Sequence, residues 1–223
     1  MKTGGQNFFS FDETFVEDLK SKWRALIGRF SSDIETIDAV GKFLIDKYSE
    51  PHRFYHNAVH VGALLVLADD FGEKFADSVC VELAIWFHDA VYDAQKSDNE
   101  IESAKLAADC LKRLFVPEEK IRKIEKMILA TERHDATETD SDGKLFLDLD
   151  LSVLGASEEI YREYARAIRR EYAHVPDLPY RRGRKNVLEN FLRREFIYFT
   201  DEMRQRFEAR ARFNIENEIK ELS

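Results

Sequence analysis

The chain has 223 residues, of which 44% are hydrophobic and 35% are charged, and its 34 Lys and Arg against 43 Asp and Glu give a net charge of −9. This length predicts one compact domain with a peripheral extension, and the apolar content is sufficient for a hydrophobic core. The acidic balance argues against nucleic acid as a partner, because contacts to a phosphate backbone need an excess of Lys and Arg. A small phosphorylated ligand needs only a local basic patch, so it is not excluded.

Apolar residues recur at intervals of three and four along most of the chain, which predicts amphipathic helices. Residues 144–153 (KLFLDLDLSV) alternate apolar and acidic residues as a strand would, but we predict a helix there as well. The fold class is therefore all-α, an orthogonal helical bundle and not a coiled coil, since no single heptad register runs long enough. In chain order, the predicted helical segments are residues 11–30, 33–49, 56–72, 77–92, 97–115, 117–131, 145–155, 157–173, 181–199 and 201–222.

The cysteines and the apolar segments indicate the cellular localisation of the protein. Cys80 and Cys110 lie in apolar helical stretches without a CxxC pair, so we expect buried, reduced thiols and no thiolate zinc site. The first residues contain no apolar signal-peptide core. No apolar run approaches the roughly 20 residues that a membrane-spanning helix needs. We predict a cytoplasmic protein with no membrane partner.

Two short segments, YHNAVH (55–60) and WFHDAVYD (86–93), suggest a metal site. Two imidazoles and two carboxylates form a mixed nitrogen and oxygen set that suits a divalent Mn, Fe, Co, Ni or Zn ion. An ion held by four protein groups keeps positions open for water and substrate. The aspartates between the leucines of 147–151 need pairing or a metal, because carboxylates beside an apolar face are costly. The predicted ligands are His60, His88, Asp89 and one of Asp148 and Asp150.

The order of a histidine, a His-Asp pair and an aspartate, each on a separate predicted helix, resembles the HD superfamily of metal-dependent phosphohydrolases. The resemblance depends on His60, on WFHDAVYD and on the DLDL segment, and it spans about residues 50–155. Residues 156–223 would then be a C-terminal helical extension of a single domain over 1–223. The segments YSEPHRFYHN, SDNEIESA and DLDLSVLG are also similar to a family of predicted HD phosphohydrolases of unknown substrate. The resemblance implies an HD-type bundle that hydrolyses a small phosphate ester, such as a nucleotide, through metal-activated water.

The YHNAVH segment also resembles the YHN-x-x-H element of cyclic-nucleotide phosphodiesterases. In those enzymes the first histidine protonates the leaving oxygen and the second binds metal. The segment ILATERHD (128–135) is similar to their LATD…H segment, and the DLS ending makes Asp150 the first choice as a ligand over Asp148. Hydrolysis of cyclic nucleotides does not follow, because their HDVDHPG is HDAVYDAQ here and their glutamine clamp has no counterpart that we can place.

The predicted catalytic residues are His56 and Asp89. His56 and His60 are four residues apart, so on a helix they would share one face and point into the same cleft. We assign His56 the role of general acid, since a histidine pKa of about 6.5 lies near the working pH. The alternatives are that His56 packs near a helix start or that it binds a second metal ion.

Four further residues are predicted to contact substrate. His134 would bind a second metal ion or the phosphate, unless it is a loop histidine in water. Arg184 lies in the basic run 181–185, which would anchor phosphate at a helix N-terminus near Gly183 or simply form a solvated helix start. His52 and Arg53 lie in a predicted loop before the first histidine motif.

The leading interpretation is thus a metal-dependent phosphohydrolase with one divalent ion, or two, and a small phosphorylated substrate. The alternative is a non-catalytic HD-fold module that senses a nucleotide or a metal. His56 favours the enzyme, because a sensor does not need an acid for a leaving group. A ferritin-like di-iron bundle would need a Glu-x-x-His motif on each of two helices, and the sequence has only one such spacing, at residues 171–174. The sequence is compatible with a homodimer and does not specify the oligomeric state.

Overall fold

A computed structural model describes residues 12–223, and over this range the chain is helical with no strand. The all-α prediction is confirmed, including the alternating segment 144–153, whereas the HD-type arrangement of the helices stays a prediction. The helices are α1 (Glu13–Ile27), α2 (Ile34–Tyr48), α3 (Ala58–Asp70), α4 (Ser78–Phe87), α5 (Asn99–Arg113), α6 (Glu118–Ala130), α7 (Ser141–Asp150), α8 (Glu158–Glu171), α9 (Asp177–Arg193), α10 (Asp201–Met203) and α11 (Ala209–Leu222). A 3₁₀ turn (Leu151–Gly155) follows α7, and a π turn (Arg204–Glu208) follows α10.

Side-chain caps fix where the helices of the site begin. Asn57 accepts a hydrogen bond from the Val59 amide at the start of α3, and Asp140 accepts one from the Gly143 amide at the start of α7. Caps of this kind satisfy amide groups that lack a partner within the helix. Because α3 begins at Ala58, His56 precedes the helix. The prediction that His56 and His60 share a helix face is therefore wrong, although the centres of their rings are only 6.1 Å apart.

The most buried helix is α4, which is apolar on nearly all sides. It contacts α3, α5, α6 and α7, as expected for a helix without a polar face. Trp86 on α4 meets Trp23 of α1 edge to face, with ring centroids 5.3 Å apart, and both rings are fully buried. The predicted buried thiols are also observed, since Cys80 and Cys110 are both buried and unpaired. This packing holds the last residue of α4, and the His-Asp pair after it, at the edge of the core.

The C-terminal helices cover the end of α7. Helices α8 and α11 both contact the 3₁₀ turn that follows Asp150. Gly155 lets the π turn pack against this 3₁₀ turn as well, because a β-carbon there would lie 2.6 Å from Cβ of Phe207. Residues after 156 thus form a wall beside the predicted metal ligands.

Candidate metal centre and adjoining cavity

Three helix ends bring together two histidines and one aspartate. His60 lies in the first turn of α3, His88 caps the C-terminal end of α4, and Asp150 is the last residue of α7. The Nε2 atoms of His60 and His88 are 3.2 Å apart. Asp150 Oδ1 lies 3.2 Å from His60 Nε2 and 3.6 Å from His88 Nε2. Three donor atoms from distant parts of the chain therefore surround one point.

The separations between these donors are compatible with three ligands of one metal ion. An ion about 2.1 Å from each donor, with angles of 90–110° between the bonds, sets neighbouring donors about 3.0–3.4 Å apart. The three observed separations of 3.2, 3.2 and 3.6 Å are close to this range. The group of His60, His88 and Asp150 can hold a metal ion. Asp89 lies next to it, with Oδ2 3.1 Å from His88 Nε2 and 3.9 Å from His60 Nε2.

The ring of His88 is oriented by the helix that carries it. Its Nδ1 lies 2.9 Å from the Ile85 carbonyl oxygen and donates a hydrogen bond to it. With the proton on Nδ1, the lone pair of the neutral ring is on Nε2, which is the atom that faces His60 and the carboxylates. Such a bond from the second nitrogen commonly fixes a metal-binding imidazole.

The charges of the cluster favour a cation. Burial alone would raise the pKa of Asp150, but hydrogen bonds from His134, His60 and His88 hold it well below its usual value. Burial lowers the pKa of His60. For His88, burial acts in the same direction, but the charges of Asp89 and Asp150 and the hydrogen bonds to both carboxylates together outweigh it and raise the pKa well above its ordinary value. The carboxylates thus stay ionised, and their negative charge attracts either a proton bound to an imidazole or a metal cation. Metal binding would therefore release the imidazole proton.

Asp148 faces away from the cluster. Its Oδ1 accepts a hydrogen bond from the Phe199 amide (2.7 Å), and its Oδ2 accepts bonds from the Thr200 amide (2.7 Å) and hydroxyl (2.6 Å). Burial raises the pKa of Asp148 to about 6, although these hydrogen bonds lower it in part. Asp148 therefore connects α7 to the segment before α10, and the geometry favours Asp150 as the ligand.

His134 is held against the outer oxygen of Asp150. Its backbone lies in the left-handed region, with φ of 45°, which is uncommon for a residue other than glycine. Its Nε2 lies 3.0 Å from Asp150 Oδ2, and its side chain is half-buried. His134 is thus not a loop histidine in water. Its roles as a second metal ligand or a phosphate contact stay predictions.

A glutamate that the sequence did not single out holds His56. Glu171, the last residue of α8, accepts hydrogen bonds on Oε1 from the amides of Phe54 (2.7 Å), Tyr55 (2.7 Å) and His56 (3.0 Å). Its Oε2 lies 2.7 Å from His56 Nδ1 and accepts a bond from the Tyr92 hydroxyl (2.8 Å). Burial alone would raise the pKa of Glu171, but the charge of His56 and these hydrogen bonds lower it to about 2.

The carboxylate of Glu171 affects both the proton and the orientation of His56. Burial by itself would lower the pKa of His56, but the charge and hydrogen bond of Glu171, together with the charges of Asp89 and Asp150, outweigh it and raise the pKa. Because Nδ1 is engaged with Glu171, the free ring nitrogen is Nε2. His56 also lines the cavity beside Asp150, as a proton donor to a bound ligand would.

Arg53 connects the two histidine motifs. Its guanidinium donates to the carbonyl oxygens of His56 (3.1 Å), Asp89 (2.6 Å) and Ala90 (3.2 Å), and its Nε donates to Glu50 (3.1 Å). The side chain is fully buried. Its geometry therefore favours a structural role over the predicted substrate contact.

We expect Arg53→Lys to lower the free energy of unfolding by about 2–4 kcal/mol, because one ammonium cannot replace a planar group that bonds to four oxygens at once. Urea denaturation would measure this loss. Arg166→Lys is the matched control, since Arg166 is exposed and its ion pair within residues 12–223 is with Glu163 alone. Equal stabilities of the two variants would contradict the structural role.

His52 lies outside the cluster as well. It is exposed, and its Nε2 lies 3.0 Å from the carbonyl oxygen of Tyr92. It does not line the cavity beside Asp150. Its contact with substrate stays a prediction without geometric support.

A cavity of about 550 Å³ adjoins Asp150. Arg184 on α9 lines it, but the guanidinium is paired with Glu218 through Nε (2.8 Å) and Nη2 (3.1 Å) and donates to the Tyr164 hydroxyl (3.2 Å). The predicted helix start near Gly183 is wrong, because α9 begins at Asp177 and Gly183 lies inside it. Arg184 thus borders the cavity without offering an unpaired charge or a helix N-terminus to phosphate.

Comparison of the chain with protein-family models, with curated proteins and with solved structures gave no significant match. None of the helices in residues 12–223 has the length and apolar character of a membrane span. Membership of the HD superfamily therefore stays a prediction from the motifs. The features of the molecule that indicate a function are the donor cluster, the His56–Glu171 pair and the cavity that they border.

Proposed function

We propose that the protein is a metal-dependent hydrolase of a small phosphate ester. The observation that carries the proposal is that His56, His134 and Asp150 border one cavity. A possible metal ligand, a histidine bonded to it and an oriented proton donor are thereby all within reach of one bound molecule. These are the groups that a metal-assisted displacement at phosphorus requires.

A divalent ion bound by His60, His88, Asp150 and Asp89 would polarise a phosphoryl oxygen and lower the pKa of water at the site. The residues of the chain supply the other functions. His56 donates a proton from Nε2 to the leaving oxygen, and Glu171 stabilises the protonated ring and fixes its orientation. His134 contacts the phosphate from the outer side of Asp150. A histidine positioned in this way typically contributes 10²–10⁴-fold to a rate.

Hydrolysis of chromogenic esters with added metal tests the proposal. Protein stripped with a chelator is assayed with p-nitrophenyl phosphate and with bis(p-nitrophenyl) phosphate, after addition of Mn²⁺, Fe²⁺, Co²⁺, Ni²⁺ or Zn²⁺. We expect turnover of one ester class that requires metal and falls at least about 100-fold in His88→Ala, because the loss of a metal removes several kcal/mol of transition-state stabilisation. A screen of nucleotides and sugar phosphates would then extend the substrate range.

The same experiment separates the enzyme from the sensing module. Stoichiometric metal binding without turnover of any ester would contradict the enzyme and support a module that senses metal or nucleotide. Turnover that is equal in wild type and His88→Ala would indicate a contaminating phosphatase and would contradict the proposal. The metal content of each protein, measured by mass spectrometry, accompanies every rate.

A further inference from the structure

The cavity beside Asp150 has a polar end and an apolar body. The polar end carries His56, His134 and Asp150, which belong to the proposed catalytic site. The body lies between α8, α9 and the turn after α7. Aliphatic and aromatic side chains form most of this wall, among them Leu154, Ile168, Val175, Tyr172, Val187 and Phe191.

The wall of the cavity contains no free cation among the described residues. Arg184 is the one permanently charged cation that lines it. Its side chain is only 9% exposed, and its guanidinium is bound to Glu218 and Tyr164. Glu132, which also lines the cavity, adds a negative charge at the rim. A chain of phosphates normally requires Arg or Lys groups along its length, and this wall does not supply them.

The size of the cavity adds to this argument. A volume of about 550 Å³ lies within the range of pockets that enclose a small organic molecule. A single phosphate at the polar end would fill only a small part of it. The remaining apolar space gains most from a group that removes apolar surface from water, because such burial is favourable in proportion to its area.

We infer that the substrate carries one phosphate group at the metal end and an uncharged, largely apolar organic part, alkyl or aromatic, in the body of the cavity. Nucleoside triphosphates and other polyphosphates are excluded by the negative rim and by the lack of an unpaired Arg or Lys among the described residues of the wall. The inference names the substrate class for the proposed hydrolase and so rests on that function. It narrows the predicted nucleotide substrate to a compound with a single phosphate.

A series of alkyl phosphates tests this inference without changing the chemistry of the leaving group. Methyl, butyl and cyclohexylmethyl esters have leaving alcohols of similar basicity but differ in apolar size. We expect kcat/KM to rise about 4-fold for each carbon that is fully buried in the cavity, and by at least about 10-fold from the methyl to the cyclohexylmethyl ester. Adenosine monophosphate and adenosine triphosphate are assayed alongside, and we expect the triphosphate to be at least about 10-fold poorer. A flat series or a preference for the triphosphate would overturn the inference.

Two variants test whether the preference for larger apolar esters comes from the apolar wall of the cavity. Val187 on α9 is 48% exposed at the edge of the cavity, so Val187→Glu places a charge on the wall at a position where the fold tolerates it. We expect the ratio of kcat/KM for the cyclohexylmethyl ester over the methyl ester to fall at least about 5-fold. Val66→Glu is the control, since Val66 is 61% exposed on α3 and lies outside the cavity. Equal ratios in the two variants would overturn the assignment of this wall.

A binding measurement keeps this inference distinct from the proposed hydrolysis. Calorimetry with methylphosphonate and cyclohexylmethylphosphonate on the Mn²⁺-loaded protein requires no turnover. If no ester is hydrolysed but the larger phosphonate binds at least about 10-fold more tightly, the cavity inference stands and the catalytic proposal fails. If both phosphonates bind equally or neither binds, the cavity inference fails whatever the rates.

Discussion

Asp150→Asn should lose its divalent metal, whereas Asp148→Asn should retain it. The two aspartates are two residues apart on α7, but only the Oδ1 of Asp150 lies within 3.6 Å of both histidine Nε2 atoms. An amide oxygen is a weaker ligand than a carboxylate and does not neutralise the charge of the ion. We expect the affinity for Mn²⁺ or Zn²⁺ to fall more than about 100-fold in Asp150→Asn, beyond the 10–100-fold typical of groups that only support a ligand. Titration against a metal indicator measures it.

Asp148→Asn should show the opposite pattern. Asp148 accepts hydrogen bonds on both oxygens from Phe199 and Thr200. An amide group keeps one acceptor and turns a donor toward another donor, which should lower the free energy of unfolding by about 1–3 kcal/mol. Its metal affinity should stay within about 3-fold of wild type. Loss of metal in both variants, with both still folded, would contradict the choice of Asp150.

Much of the fold and part of the donor group could be predicted from the sequence, because those signals are local. The helix at α7 was predicted in spite of its alternating pattern, and a single strand in an otherwise helical chain would have no partner. His60 and His88 each stand where an apolar helix begins or ends, which is where a side chain can face a cleft. The choice between Asp148 and Asp150 could not be made from the pattern alone. It depends on the direction in which the last turn of α7 points.

The contacts that the sequence did not reveal join residues that are distant in the chain. Glu171 is 115 residues from His56 in sequence, and a glutamate at the end of an amphipathic helix has no feature that distinguishes it from its exposed neighbours. Arg184 looked like a phosphate anchor because its partner Glu218 lies 34 residues further on. Arg53 looked like a loop cation, but it bonds to carbonyl oxygens, which no side-chain pattern reveals. In each case the partner of the charge decides its role.

His56→Ala should lower kcat about 100-fold or more while the metal content stays at the wild-type level. His56 is not among the donors around the metal point, and its Nδ1 is engaged with Glu171. Its removal should therefore affect proton transfer to the leaving oxygen and not metal affinity. The effect should be large for an alkyl ester and small for p-nitrophenyl esters, whose leaving group needs little protonation. Loss of metal in this variant would instead indicate a second-metal ligand.

Glu171→Gln should show how the carboxylate acts on His56. The charge of Glu171 raises the pKa of His56, so its removal should move the high-pH limb of the kcat profile to lower pH, because the acid loses its proton sooner. Glu171→Asp would place a charge further from the ring and should move the limb less than Glu171→Gln does. An unshifted limb in Glu171→Gln, with kcat as in wild type, would contradict a positioning role for Glu171.

The stability of Glu171→Gln should depend on pH in a direction that the pKa of Glu171 determines. That pKa is about 2 in the folded protein and 4.5 as its ordinary value. The ionised carboxylate therefore contributes stability that is fully present above about pH 4.5 and is lost as the pH falls toward 2. This difference between the two pKa values corresponds to about 3 kcal/mol of stability. In Glu171→Gln, the side-chain carbonyl oxygen still accepts hydrogen bonds and retains part of that stability. In urea denaturation at pH 6, the free energy of unfolding should be higher for wild type than for Glu171→Gln. This difference between the two proteins should be smaller at pH 3. A gap that is constant with pH would show that the charge of Glu171 is not what stabilises the segment around His56.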